Sequence, residues 1–367
     1  RADLRRTVIC LGISVGGLFL LWAVLQMKES GAVAAVGLTG VVLVSIVGTW
    51  FAAATIFRAF TVNPPRGLVA LGGLLLLAVH GAMVFLGAVV ALLSSAGGRG
   101  RQLRRFGRVL LPRLRPGSEW SGGVDAIAIE DAARTGLATQ WRENARTEHA
   151  SVGAFAVLTM DLLALGAPPE LLASAHRDGL DEIRHAQMCL GLATAIDGVD
   201  LSPAPFPESR SARALPRTRV MALARLAVDS LVDGVLHEGV SARTLARLTR
   251  LAESSVIRET LAVLAADEGR HAAHAWHVVQ WCVREGGEPV VQALRGAARV
   301  LPRRPGERPS STPDDGSSLE ARSGAWQRWG IPGRALEEEE YAAAVASVAH
   351  RVEALAASDA RASTRVA

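Results

Sequence analysis

The pentapeptide Asp181-Glu182-Ile183-Arg184-His185 recurs with one change as Asp267-Glu268-Gly269-Arg270-His271. Each copy contains Glu-x-x-His. On a helix that spacing places the carboxylate and the imidazole on one face, about one turn apart, where both can reach the same metal ion. One such pair is unremarkable in a helical protein of 367 residues. Two copies, one in each half of a helical region, are much less expected by accident.

The sequence around the copies predicts helices. Long stretches without Pro and rich in Ala, Leu, Glu and Arg favour them. The first is expected from Asp131 to Leu165, stopping at Gly166-Ala167-Pro168-Pro169, and the second from Glu170 to Ile196, stopping at Asp197-Gly198. A connection containing Pro203, Pro205, Pro207 and Pro216 follows. The third is expected over Thr218–Ala246 and the fourth over Ser254–Glu285, closed by Gly286-Gly287. The connections are therefore short, long, short, which suits two antiparallel hairpins joined by a crossover.

A two-metal site in such a bundle needs one more Glu from each of the other two helices. Glu148 lies 34 positions before Glu182, and Glu238 lies 30 positions before Glu268. Both fall near the middle of their helices, among small or apolar neighbours such as Ala150, Val152, Val235 and Val240. The candidate metal ligands are thus Glu148, Glu182, His185, Glu238, Glu268 and His271. Carboxylates with one imidazole per metal suit iron or manganese better than a thiolate-seeking metal. The competing interpretation is a set of surface ion pairs in which Arg184 and Arg270 satisfy the acids. It does not account for the twinned motif or for the two extra glutamates.

With these residues, the segment 131–285 resembles the ferritin-like superfamily of di-iron carboxylate proteins. The twin Asp-Glu-x-Arg-His form is especially similar to bacterial multicomponent monooxygenase hydroxylases. The resemblance implies an all-α, ferritin-like four-helix bundle holding two Fe ions, with Mn as an alternative. It implies that Glu182 and Glu268 bridge the metals, that Glu148 and Glu238 are terminal ligands, and that each histidine binds one metal. Asp181 and Asp267 would each accept a hydrogen bond from the histidine of the opposite motif, beside Arg184 and Arg270. Outer partners of this kind fix ring orientation and raise ligand basicity. Cys189 stands one turn after His185, where ribonucleotide reductase small subunits carry a radical-forming tyrosine; it is expected to be a small buried hydrophobe.

Before this region lie three apolar stretches, 7–27, 31–57 and 67–96, without a charged residue. A bilayer-spanning helix needs about 20 such residues, so three transmembrane helices are expected. Residues 98–130 read as a basic juxtamembrane linker, with seven arginines and no acid between Arg99 and Arg115. Anionic lipid is the expected partner of that run, not nucleic acid. Lys28 and those arginines outnumber Arg1, Arg5, Arg6, Arg58 and Arg66 on the other side of the spans. The bias puts the bundle on the cytoplasmic side of the bacterial inner membrane. The sequence opens on Arg1, not Met, which leaves room for an upstream segment.

Cys10, Cys189 and Cys282 form no CxxC pair, which disfavours zinc ribbons, rubredoxin-type iron and a disulfide framework. His274 and His277 continue the face of His271 and are weighed as a further metal site, with low expectation. Residues 286–334 are expected to be a flexible linker and 335–358 a C-terminal helix, whose Glu337–Glu340 run suits a helix start. Two functions stay open: an O2-dependent oxidoreductase or oxygenase on a lipophilic substrate or quinone, and a non-catalytic iron-binding, ferroxidase or sensing module.

Overall fold

The computed structural model describes residues 101–105, 108–206, 216, 218–302, 304–305 and 323–366. The three expected spans, 7–27, 31–57 and 67–96, lie outside the described residues. Among the described residues, no helix is long and apolar enough to cross a membrane.

The described chain is mostly helical. Helix α1 (Asp131–Ala164) ends where Gly166 turns to a φ of +69° before Pro168, and α2 (Pro169–Asp197) starts with Pro at its first position. Pro is tolerated there because that N–H has no helical acceptor in any case. Helix α2 stops at Gly198, whose φ of +76° is the left-handed conformation that glycine takes without a Cβ penalty. Helix α3 (Arg219–Asp229) is capped by the Thr218 hydroxyl, which accepts from the Met221 amide. It passes without a break through a π-helical stretch (Ser230–Glu238) into α4 (Gly239–Leu251). Helix α5 (Ser255–Gly286) is capped by Ser254.

Helix α1 packs chiefly on α2, while α3, the π-helical stretch and α4 pack on α5; contacts between α2 and α5 join the two pairs. One end of the bundle is closed by buried Trp141, Leu190, Leu248, Ile257 and Ile331. Burying each such aliphatic side chain contributes about 1.5–3 kcal/mol. Gly330 has a φ of +82°, and a Cβ there would stand 2.7 Å from the Trp141 ring, so two constraints demand glycine at that turn.

Three features differ from the sequence expectations. Within the expected basic linker, strands β1 (Arg104–Arg105) and β2 (Arg108–Val109) pair with each other. Strand β3 (Leu114–Pro116) pairs with β4 (Leu201–Pro203), tying the linker to the crossover between α2 and α3. The expected flexible linker 286–334 contains helix α6 (Glu288–Arg299), whose Val290, Val291 and Leu294 are buried against the bundle. Its stability comes from that tertiary face, which composition alone understates. Finally, the Glu337–Glu340 run does more than suit the start of α7 (Arg334–Val366). Glu340 is buried and accepts from Arg243 Nε at 2.7 Å and Arg247 Nη1 at 3.0 Å, docking α7 on α4.

Candidate metal centre

The six candidate ligands come from four helical segments. Glu148 stands on α1, Glu182 and His185 on α2, Glu238 at the end of the π-helical stretch, and Glu268 and His271 on α5. All six are buried, Glu182, His185 and Glu238 completely. They fall into two overlapping groups. Glu148, Glu182, His185 and Glu268 each offer one donor atom within 4.8 Å of the others, and so do Glu182, Glu238 and His271. Glu182 belongs to both.

The imidazoles meet Glu182 from two sides. His271 Nδ1 lies 3.2 Å from Glu182 Oε1, and His185 Nδ1 lies 3.7 Å from Glu182 Oε2. The opposite ring nitrogens point to acids. His185 Nε2 is 3.0 Å from Asp267 Oδ2, and His271 Nε2 is 3.4 Å from Asp181 Oδ2. Each aspartate thus faces the histidine of the other motif. Such a pairing directs the Nδ1 lone pair inward when Nε2 carries the proton. Arg184 donates to Asp181 Oδ1 at 3.1 Å and also to Asp267. Arg270 donates to Asp181 Oδ2 at 2.9 Å and to Asp267. Two aspartates and two half-exposed arginines therefore close one side of the site as a ring of alternating charge. The surface-pair interpretation applies to these four residues only, because the acids of the ligand set are not on the surface.

Protonation shows how ill-suited this cluster is to standing without cations. Burial, then repulsion from Glu182 and Glu268, pushes the Glu148 carboxyl well above its ordinary range. Burial also raises Glu238, against the pull of Arg101. Burial opposes ionisation of Glu182 too, yet the imidazoles of His185 and His271 beside its two oxygens hold it down at about 2. Burial disfavours the charged form of His271, but Glu182, Glu238 and Glu268 raise it to about 10. Both oxygens of Glu182 and Glu238, and Nδ1 of both histidines, are buried without a hydrogen-bond partner. Unpaired buried polar atoms are costly, and a cation among these donors would relieve that cost. Carboxylate and imidazole donors in this ratio fit two divalent iron or manganese ions.

Three further features were not singled out by sequence reasoning as parts of the site. Asp178, one turn before Glu182, lies 3.8 Å from His271 Nε2 and accepts from His274 Nδ1 at 2.6 Å. Its spacing on α2 could have drawn attention, since i−4 residues share a face. His274, weighed above as a further metal ligand, is placed against Asp178 and outside the two ligand groups. The π-helical stretch carries Glu238 into the core, and no local signal announces it. Arg101 is the third. Expected with its neighbours at a lipid surface, it is instead 5% exposed, with Nε 3.8 Å from Glu238 Oε1. Its guanidinium lies over the Phe155 ring, 5.4 Å from the centroid. The buried site supplies the counter-charge and the aromatic face that draw it inward.

Cys189 is fully buried, as is Cys282, whose thiol burial pushes up to about 12. Comparison of the chain with family models, with curated proteins and with solved structures gives no match.

Proposed function

We propose that this chain is a membrane-anchored, ferritin-like protein that binds two iron or manganese ions and acts as an O2-dependent oxidoreductase or oxygenase. The observation that carries this reading is the pair of buried carboxylate–imidazole groups that share Glu182. Two such ions, when bound, would supply redox chemistry toward oxygen and Lewis acidity. The chain's own residues do the rest. Glu182 and Glu268 would be shared between the two ions, Glu148 and Glu238 would complete the two ends, and His185 and His271, which Asp267 and Asp181 face, would each hold one ion. The burial of the ligands excludes water, which strengthens electrostatic interactions within the site. The membrane anchor rests on the apolar stretches 7–27, 31–57 and 67–96, and favours a lipophilic substrate or a quinone. Within the Arg99–Arg115 run, Arg113 and Arg115 are exposed and available to anionic lipid.

A second reading is a non-catalytic iron-binding, ferroxidase or sensing module. It is favoured by the near-complete burial of the ligands, of which Glu148, at 7% exposed, is the most accessible. That geometry suits small ions and O2 better than a bulky substrate.

Metal content and oxygen reactivity test both. The full chain loaded anaerobically with Fe(II) is expected to hold two ions and to form a transient oxidised chromophore on mixing with O2. Two ions that react no faster than free Fe(II) would favour the non-catalytic reading. Fewer than two ions, or a Glu182→Ala variant that binds iron as well as the parent, would overturn the site.

A further inference from the structure

Granting the two-metal reading above, we propose that the two positions bind metal unequally, that the Glu238–His271 position is the weaker, and that Arg101 sets the difference. Of the two positions, only the Glu238–His271 one has, among the described residues, a buried guanidinium beside it: Arg101 Nε is 3.8 Å from Glu238 Oε1. A cation beside a metal position repels a divalent ion, and the burial of Arg101 and Glu238 leaves that repulsion weakly screened.

Arg101 is also fixed in place. It stacks on Phe155, whose ring in turn meets His271 edge-on at 5.4 Å. Its Nη2 fits against Gly234 of the π-helical stretch, where a Cβ would come within 2.7 Å. Leu103, two residues on, packs against Gly153 of α1. Among the described residues, Nε and Nη2 of Arg101 have no hydrogen-bond partner. Asp161, the other acid that Arg101 influences, is drawn more strongly to Arg225.

The sign of the effect does not depend on whether Glu238 starts out protonated. If it is ionised, loading adds two positive charges beside Arg101. If it is protonated, the metal displaces one proton and loading still adds one. Arg101 opposes loading in both cases. It therefore acts as a positioning charge and not as a ligand.

Stepwise titration of the full chain with Co(II), followed by calorimetry and visible absorption, tests this. The parent is expected to show two binding events whose Kd values differ by at least about tenfold. Glu238→Gln should abolish the weaker event and keep the tighter one. Arg101→Gln should tighten the weaker event by at least about tenfold and leave the other unchanged, which also reports an intact fold. Arg101→Lys, which keeps the charge, should resemble the parent. Equal affinities in the parent, loss of the tighter event in Glu238→Gln, or an Arg101→Gln variant whose weaker event is unchanged, loosened or lost would overturn the inference while leaving the metal site standing. A parent that binds no Co(II) would remove the two-metal reading itself.

Discussion

The two halves of the candidate centre begin from nearly the same five residues and end in different surroundings. Around His185 the outer contact is a single acid, Asp267, at 3.0 Å. Around His271 there are two, Asp181 at 3.4 Å and Asp178 at 3.8 Å, and Asp178 is shared with His274. The positions equivalent to Asp178 and His274 in the first half are Leu264 and Met188, which cannot make such a pair. Glu148 stands on regular α-helix, whereas Glu238 stands at the end of a π-helical stretch. The π turn widens the helix locally and is frequent at functional sites. The difference teaches that a repeated motif supplies equal donors without supplying equal environments. What surrounds the donors breaks the symmetry, and all the departures gather on the Glu238–His271 side.

The largest test of that comparison is removal of the outer acids one at a time. Asp267→Asn should weaken metal binding at the His185 position by about 10–100-fold, the usual cost of losing such a partner. Asp181→Asn should cost less, because Asp178 remains near the same ring nitrogen. Titration of both variants with Co(II) checks the order, and a larger loss in Asp181→Asn would break the comparison.

A second test uses pH on metal-stripped protein. Glu148 and Glu238 have carboxyls raised above the ordinary 4.5, so they favour the folded state less as pH climbs above that value. His271, raised from 6.5 to about 10, contributes stability that is complete below about 6.5 and lost as pH rises toward 10. His185 shifts the same way. Glu182 works in the opposite sense only in acid: its contribution is present above 4.5 and disappears as pH falls toward about 2. Thermal melts should therefore peak near pH 5 and decline steadily toward pH 9. Glu148→Gln and Glu238→Gln should each flatten the decline, as should added Mn(II). A stability that rises from pH 5 to pH 9 without metal would contradict these shifts.

The smallest effect is expected from making the halves alike. The double variant Asp178→Leu, His274→Met installs the residues that the His185 half already carries. It should fold, keep two Co(II) ions and change the affinity of the Glu238–His271 position by only a few-fold, with a shift in the Co(II) absorption bands. An unaltered spectrum would show that the Asp178–His274 pair does not bear on the metal position.

Much of the helical frame was legible because helix starts and stops are local. The Gly166–Pro169 break, the Gly198 cap, the Thr218 and Ser254 caps and the Gly286-Gly287 stop are all short-range features. Helix α6 was missed for the reverse reason: a twelve-residue amphipathic segment beside Pro and Gly depends on the surface it covers. Cys189 read correctly as buried, since a lone Cys on the inward face of a helix behaves as a small hydrophobe. The Arg99–Arg115 run was read as one solvated basic surface, and Arg101 departs from it. Its partners, Glu238 and Phe155, lie 137 and 54 positions away in sequence, beyond any local pattern.

The sequence by itself determined the candidate donor set: six carboxylates and imidazoles, with each Glu-x-x-His motif brought to one face by helical periodicity alone. It determined most of the helices as well, through caps and breakers that act within a turn. Only the tertiary structure decided which donors share Glu182, which aspartate faces which histidine, and that Arg101 and the Asp178–His274 pair stand on one side of the centre. The physical reason is range. Periodicity and capping act between neighbours in the chain, whereas the electrostatics of a buried site depend on every charge that folding carries into it.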